Sequence, residues 1–154
     1  MAIIGKAIPS FTLQDDQGST VTQKNLEGSW TILYAYPKDS TPGCTTEACD
    51  FRDNWGRVKA LGAKVYGISK DSVKSHQGFI AKQELPFRLL SDPEVVLLKA
   101  LGAYGKKVMY GKDVEGIIRS TFLIDPKGVI RHVWPKVSVK GHVQEVLEIL
   151  EELK

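Results

Sequence analysis

Two hydrophobic periods alternate along this chain, and each change of period marks an element. Phe11-Thr12-Leu13-Gln14 and Ser19-Thr20-Val21-Thr22, parted by Asp15-Asp16-Gln17-Gly18, predict an N-terminal hairpin. Thr31-Ile32-Leu33-Tyr34-Ala35-Tyr36 is an unbroken aliphatic, β-branched and aromatic run, the pattern of a central strand. Ala63 to Ser69 repeats that pattern, and Phe87-Arg88-Leu89-Leu90 gives a shorter strand. Between them, Val73, Phe79 and Ile80 form the apolar side of a helix from about Ser72 to Gln83. Ser91-Asp92-Pro93 supplies a cap and a first-turn proline for a helix over Val95 to Leu101, closed by Gly102. Ala103 to Gly116 is rich in glycine and lysine and has no period; it reads as a surface loop with at most strand-like pieces. Ser120 to Asp125, the turn Pro126-Lys127-Gly128, and Val129 to Trp134 predict a second hairpin. Val143, Val146, Leu147, Leu150 and Leu153 then mark an amphipathic C-terminal helix. Strands alternating with helices, followed by an antiparallel pair, predict an α/β fold: a mixed central sheet with helices on both faces.

The handover from the central strand to the next helix carries the chemistry. Pro37 ends the strand because proline cannot donate to the ladder. Thr41 and Pro42 read as an N-cap followed by proline at the first helical position. Cys44 then falls in the first turn, beside free backbone N–H groups and the positive end of the helix dipole, a position that favours a nucleophilic thiolate. Ala48, Phe51, Trp55 and Val58 continue the helix to a stop at Gly62, with Cys44 near the centre of their apolar stripe. Cys49 lies off that stripe. Five residues advance an α-helix by roughly 7.5 Å and turn it about 140° past a full circle, leaving the two Cα atoms about 8.7 Å apart. A disulfide needs less than roughly 7 Å, so Cys44 and Cys49 can join only if this helix start unwinds.

Composition narrows the function without naming it. The chain of 154 residues is long enough for one domain with a substantial core, spanning residues 1–154, and too short for two ordinary ones. Its net charge of +3, with no lysine- or arginine-rich run, gives a nucleic-acid role little support. Met1 to Pro9 lacks the apolar core of a signal peptide, and no segment is long and apolar enough to span a bilayer, so a soluble, cytoplasmic protein is expected. In that compartment two cysteines point to redox chemistry or metal binding rather than a permanent staple. His76, His132 and His142 are dispersed without metal-ligand spacing and read as structural or solvated; Trp55 and Trp134 read as packing residues.

Pro37, Thr41 and Cys44 fit a Pro-x-x-x-Thr-x-x-Cys signature, and the run Tyr-Pro-Lys-x-x-Thr-Pro-Gly-Cys-Thr has a second cysteine five residues on. In these residues the chain resembles the peroxiredoxins, in particular their bacterioferritin comigratory protein (Q-type) branch, and the resemblance covers nearly its whole length. It implies a thioredoxin-like fold and a thiol-dependent peroxidase in which Cys44 attacks a hydroperoxide to form a sulfenic acid. Cys49 would resolve that acid as an intramolecular disulfide. Thioredoxin or a similar dithiol would regenerate the enzyme, a monomer needing no metal, haem or flavin. Arg119, at the start of a later strand, would stabilise thiolate and transition state. Thr41 would offer its hydroxyl to peroxide or thiolate, Pro37 would shield the site, and Glu47 would orient the arginine. Without the resemblance, Arg119 reads as a surface residue, Cys44 as core, and Thr41 as a helix cap. Three other classes then stay open. A disulfide reductase would normally carry Cys-x-x-Cys, which is absent. A copper carrier would need both thiols and a histidine to converge. A non-catalytic interaction domain would leave Cys44 unactivated.

Overall fold

In the computed structural model, which describes residues 3–154, the chain runs through nine strands and five α-helices. Met1 and Ala2, the head of the N-terminal stretch read above for a signal, lie outside the described residues. In order the elements are β1 (Thr12–Asp15), β2 (Thr20–Thr22), a 3₁₀ turn (Gln23–Leu26), β3 (Trp30–Ala35), α1 (Pro42–Asp53) and α2 (Trp55–Ala60). There follow β4 (Ala63–Ser69), α3 (Val73–Gln83), β5 (Arg88–Ser91), α4 (Val96–Ala100), β6 (Tyr104–Met109), β7 (Lys112–Ile117), β8 (Ser120–Ile124), β9 (Ile130–Trp134) and α5 (His142–Leu153).

Seven strands form one sheet in the order β2-β1-β5-β4-β3-β8-β9. β3, β4 and β5 run parallel, while β8 is antiparallel to β3 and β1 is antiparallel to β5. Both faces are covered, as a parallel centre requires. The period-2 alternation of β3 divides the core. Ile32, Tyr34 and Tyr36 face α1, α2, α3 and α5 through Phe51, Val58, Phe79 and Leu147. Leu33 and Ala35 face the other way, towards Leu97 and Leu98 of α4 and Leu26 of the 3₁₀ turn. This is the thioredoxin-like arrangement, with its N-terminal hairpin β1–β2 in place.

Register fixes where the chemistry can lie. Ala35, the last residue of β3, is paired with Ser120, the first of β8. The segment leaving β3 towards Cys44 and the residue entering β8, Arg119, therefore meet at one end of the sheet.

Four expectations need correction. The helix expected from Pro42 to Gly62 breaks at Asn54, whose Nδ2 donates to the Asp50 carbonyl at 2.8 Å and competes with the helical bonds. Gly62 does close the second piece, at φ +70°. Thr41 stands at the N-cap but does not cap with its side chain; its hydroxyl donates to the Lys38 carbonyl at 2.9 Å. Pro93 precedes α4 instead of entering its first turn, and Asp92 caps from a distance by accepting from the Val96 and Leu98 N–H groups at 2.9 Å each. Finally, the expected loop over Ala103 to Gly116 is the hairpin β6–β7, turned at Tyr110 and Gly111, both at positive φ. Its ribbon is mostly exposed, with Val108 72% and Tyr110 97% accessible, so no buried face imposes alternation on its sequence.

Gly67 shows how tightly the centre is packed. A Cβ there would lie 2.7 Å from Leu89 Cδ2 and 2.9 Å from Tyr34 Cζ. Gly67→Ala is expected to lower stability by about 1–3 kcal/mol through overpacking, read as a drop in the urea unfolding midpoint. An unchanged midpoint would show that Tyr34 and Leu89 yield freely.

Candidate active site

Cys44 is the third residue of α1 and is 1% exposed, its side chain turned into the core beneath Tyr34 and Tyr36 rather than outward. Thr41 enters the helix in an extended conformation and Pro42 starts it, which leaves the first turn with the unpaired N–H groups of a helix start. Arg119 arrives from the start of β8. Its Nη2 donates to Cys44 Sγ at 3.1 Å, and its Nη1 donates to Glu47 Oε1 at 2.6 Å. Gly43 gives the guanidinium room, since a Cβ at that position would be 3.3 Å from Nη2.

The charges around this contact are strongly perturbed. Glu47 is fully buried, and its Oε2 has no hydrogen-bond partner among the described residues. Burial pushes its carboxyl up to about 7, against the pull of Arg119. Burial also works against the Arg119 charge, but Glu47 and Cys44 outweigh it and hold the guanidinium more firmly protonated than usual. The two directions pull apart, since a charged Glu47 suits Arg119 better than it suits Glu47. The orphaned oxygen decides the matter for Glu47, because one ion pair satisfies only half of a buried carboxylate. Tyr34 Oη is likewise without a partner among the described residues, and burial followed by the Glu47 charge drives its hydroxyl well above the ordinary value.

Two more groups adjoin the site that the sequence did not single out as functional. Lys107 on β6 donates from Nζ to the Ile117 carbonyl at 2.6 Å; burial and then the Arg119 charge lower its pKa. His142, at the start of α5, has Nε2 2.8 Å from Thr121 Oγ1, and burial followed by Arg119 pushes it down to about 4. Its place one residue ahead of the apolar stripe of α5 was the only local signal. Pro37 lies with Val108, Ile117, Ile118, Arg119 and Val137 around a cavity of about 480 Å³, rimmed by Lys106, Lys107 and Lys136.

Cys49 is half-buried on the same unbroken helix. Its Sγ lies 3.5 Å from Gln83 Oε1 at the end of α3, and Arg52 Nη1 holds the Gln83 carbonyl at 2.7 Å. Both cysteines are free thiols. Thus Cys44, Arg119 and Glu47 are in direct contact, Pro37 walls the adjoining cavity, Thr41 stands at the helix entrance, and Cys49 faces α3.

A thiol enclosed at a helix start and bonded to a fixed guanidinium, on a thioredoxin-like sheet, defines a thiol-based oxidoreductase. The chain belongs to the AhpC/TSA family, whose model matches residues 4–133. It is 46% identical over 150 residues to the peroxiredoxin Bcp of Bacillus subtilis, with 97% of this chain and 96% of that one covered. Among solved structures it is similar to the bacterioferritin comigratory protein of Xanthomonas campestris, studied for its alkyl peroxide reduction activity, at TM-score 0.87 and 45% identity over 92% of this chain and 90% of that one. A cysteine-to-serine mutant of Xylella fastidiosa PrxQ superimposes at TM-score 0.92 with 39% identity, over 99% of this chain and 97% of that one. The chain is therefore a peroxiredoxin, a thiol-dependent peroxidase. Among the described residues no helix is long and apolar enough to cross a membrane.

The shifted groups predict a pH dependence of stability. Between about pH 4.5 and 7 folded Glu47 keeps a proton that the unfolded chain releases, so its contribution falls as pH rises through that window. His142 acts in the opposite sense: the unfolded ring takes a proton below 6.5 and the folded ring resists until about 4, so stability is lost as pH falls. In the native protein the slopes oppose one another. Glu47→Gln removes the main opposing slope, leaving a lesser one from the raised Asp50 carboxyl, and unfolding free energy is expected to climb by about 2 kcal/mol from pH 4.5 to 6.5, at 1.36 kcal/mol per pKa unit. Urea titrations at several pH values test this, and a variant that stays as flat as the native protein contradicts it.

Proposed function

We propose that residues 1–154 act as one peroxiredoxin domain in which Cys44 is the peroxidatic thiol and Cys49 the resolving one. The observation that carries this reading is the 3.1 Å contact between Arg119 Nη2 and a Cys44 Sγ held in a first helical turn. The Cys44 thiolate attacks the terminal oxygen of the hydroperoxide; the O–O bond breaks, Cys44 becomes a sulfenic acid, and the departing oxygen leaves as alcohol or water after taking from solvent the proton that the thiol released on ionising. Cys49 sulfur then attacks Cys44 sulfur, forming the disulfide and expelling water. Thioredoxin or a similar dithiol takes over the disulfide by thiol exchange and restores both thiols. The cycle balances without metal, haem or flavin.

Each neighbour has a task that follows from charge and geometry. Arg119 stabilises the thiolate and the negative charge that grows on the departing oxygen. Glu47 fixes the guanidinium in place through the 2.6 Å bond to Nη1. Thr41 has its hydrogen engaged by Lys38, so its oxygen is available to accept from the hydroperoxide O–H. Pro37 keeps water from the reacting sulfur. Hydrogen peroxide and organic hydroperoxides are both substrates on this reading; the apolar wall of Val108, Ile117, Ile118 and Val137 favours an alkyl group beside Arg119, in line with the alkyl peroxide reduction studied in the Xanthomonas protein. Because resolution stays within one chain, a monomer suffices, and the setting is cytoplasmic antioxidant defence and redox homeostasis.

Peroxide consumption coupled to thioredoxin and its reductase tests the assignment. Cys44→Ser is expected to lose activity completely. Cys49→Ser is expected to lose thioredoxin turnover but still form one sulfenic acid per chain, detected by mass spectrometry. Activity surviving in Cys44→Ser would remove the peroxidase role from that residue.

Resolution also requires a conformational change. The reduced protein should protect the amides of the first turns of α1 from hydrogen exchange, and the disulfide form should lose that protection while β3 and β4 keep theirs. Equal protection in the two redox states would contradict intramolecular resolution.

A further inference from the structure

A buried cluster lies behind the loop that joins β3 to α1, away from the reacting sulfur. Asp39 and His76 are 6% and 0% exposed. His76 Nε2 is 2.9 Å from the Leu90 carbonyl oxygen on β5, and Nδ1 is 2.7 Å from Asp39 Oδ2. A carbonyl oxygen has no hydrogen to give, so Nε2 carries one. The Asp39 carboxylate already accepts from the Tyr36 hydroxyl at 2.6 Å on Oδ1 and from the Ser75 hydroxyl at 2.8 Å on Oδ2. The His76 Nδ1 is the third polar group gathered on this carboxyl, and it also lies 3.4 Å from the Tyr36 hydroxyl. Asp39, His76, Tyr36 and Ser75 thus form one closed hydrogen-bonded cluster in the interior.

The same aspartate is tied through its backbone. Its N–H donates to Asp71 Oδ2 at 2.8 Å, and Asp71 is held in turn by Ser69 Oγ at 2.7 Å and by Ser91 Oγ on its carbonyl at 2.6 Å. The cluster thus joins the end of β3, the β4–α3 connection, the first turn of α3, and β5. Directly after it comes Ser40 at φ +63°, a left-handed conformation that costs a residue with a Cβ about 1–2 kcal/mol. Thr41, Pro42, Gly43 and Cys44 follow without a break. A strained backbone next to a multiply bonded side chain is held by that side chain.

We propose that Asp39 and His76 are positioning residues of the peroxidase: their buried hydrogen bond locks the β3–α1 loop, so that Cys44 keeps its place against Arg119 and the loop stays fixed while α1 unwinds towards Cys49. The proposal rests on the peroxidase reading of Cys44 given above.

Asp39→Asn and Asp39→Ala separate this role from mere packing. In Asp39→Asn the amide can donate to Nδ1 of a neutral ring while Nε2–H stays on Leu90, so the loop remains locked. In Asp39→Ala the polar groups of Tyr36, Ser75 and His76 lose their partner. ¹⁵N-histidine spectra are expected to show a His76 ring N–H protected from solvent exchange in the native protein and in Asp39→Asn. Single-turnover oxidation of Cys44 by peroxide should stay within about threefold of native in Asp39→Asn, since the amide oxygen still accepts from Tyr36 and the amide N–H groups meet His76 and a Ser75 hydroxyl turned to accept. It should slow by at least about tenfold in Asp39→Ala, because roughly 1 Å of misplacement at a reacting centre costs that much or more. Alkylation of Cys44 by iodoacetamide, which needs no oriented peroxide, should change far less. A His76 ring N–H that exchanges freely with solvent in the native protein overturns the lock, and that reading needs no variant to fold. A folded Asp39→Ala with native peroxide rate, or with both rates altered equally, overturns the positioning role. Native protein lacking any Cys44-dependent peroxide reaction overturns the peroxidase reading itself, a failure visible before any Asp39 variant is made.

Discussion

One guanidinium balances the charge of the whole site. Cys44 and Glu47 sit one turn apart on α1, both buried, and burial drives the Glu47 carboxyl towards its neutral form. Arg119 gives both a partner at once, at 3.1 and 2.6 Å. Its position is not a local matter. Arg119 immediately precedes β8, and β8 is locked to β3 by the pairing of Ser120 with Ala35. A one-residue slip in that register would turn every β8 side chain to the opposite face, moving Phe122 and Leu123 into each other's cores. The hydrophobic partition of the sheet therefore enforces the electrostatics of the sulfur. Gly43 completes the arrangement by leaving out the one carbon that would crowd Nη2.

The helix that carries the thiol is unevenly anchored. Ala48 and Phe51 fix its middle, with Phe51 stacked on Tyr34 at a ring separation of 5.0 Å. In its first turn Pro42 and Gly43 are exposed and only Cys44 reaches the core. Unwinding that turn gives up the burial of one small side chain, whereas unwinding the middle would undo the aromatic cluster. Local opening selects the segment with the fewest buried contacts. On the proposed cycle this is the turn that must open for Cys44 to reach Cys49, and oxidation of Cys44 to a polar sulfenic acid weakens the very contact that keeps it closed.

Much of this was legible in the sequence wherever burial imposes a pattern. The period-2 run of β3, the boundaries of β4, the hairpin β8–β9 and the stripe of α5 all follow from apolar spacing, and Cys44 from the proline and threonine before it. Failures came where a side chain outside the local pattern decides. Asn54 breaks α1 from α2 through its own bond to the Asp50 carbonyl, with neither proline nor helix-stopping glycine to announce it. Asp39 and His76 lie 37 positions apart in the chain and meet only through the order of β3, β4 and β5. A trace of the pairing was present, however. Val73, His76 and Phe79 share one helical face of α3, a spacing left unused when His76 was read as structural or solvated.

The least legible segment is also the one that walls the cavity beside Pro37 and Arg119. Among the described residues β6 and β7 pair only with each other, and almost all of their side chains are exposed or only half-buried, so hydrophobic periodicity had little to read. Yet Lys107 reaches back to the Ile117 carbonyl, and Val108 and Ile117 line the cavity beside Pro37 and Arg119. A wall built to meet a small, variable ligand gains nothing from a packed face of its own, and loops or ribbons of this kind characteristically carry binding surfaces on a rigid scaffold. On the proposed cycle, silence in the hydrophobic pattern next to the motif that carries Cys44 is thus itself informative. There the motif and the core dictate the chemistry, and an unpatterned ribbon is free to set which hydroperoxide is favoured.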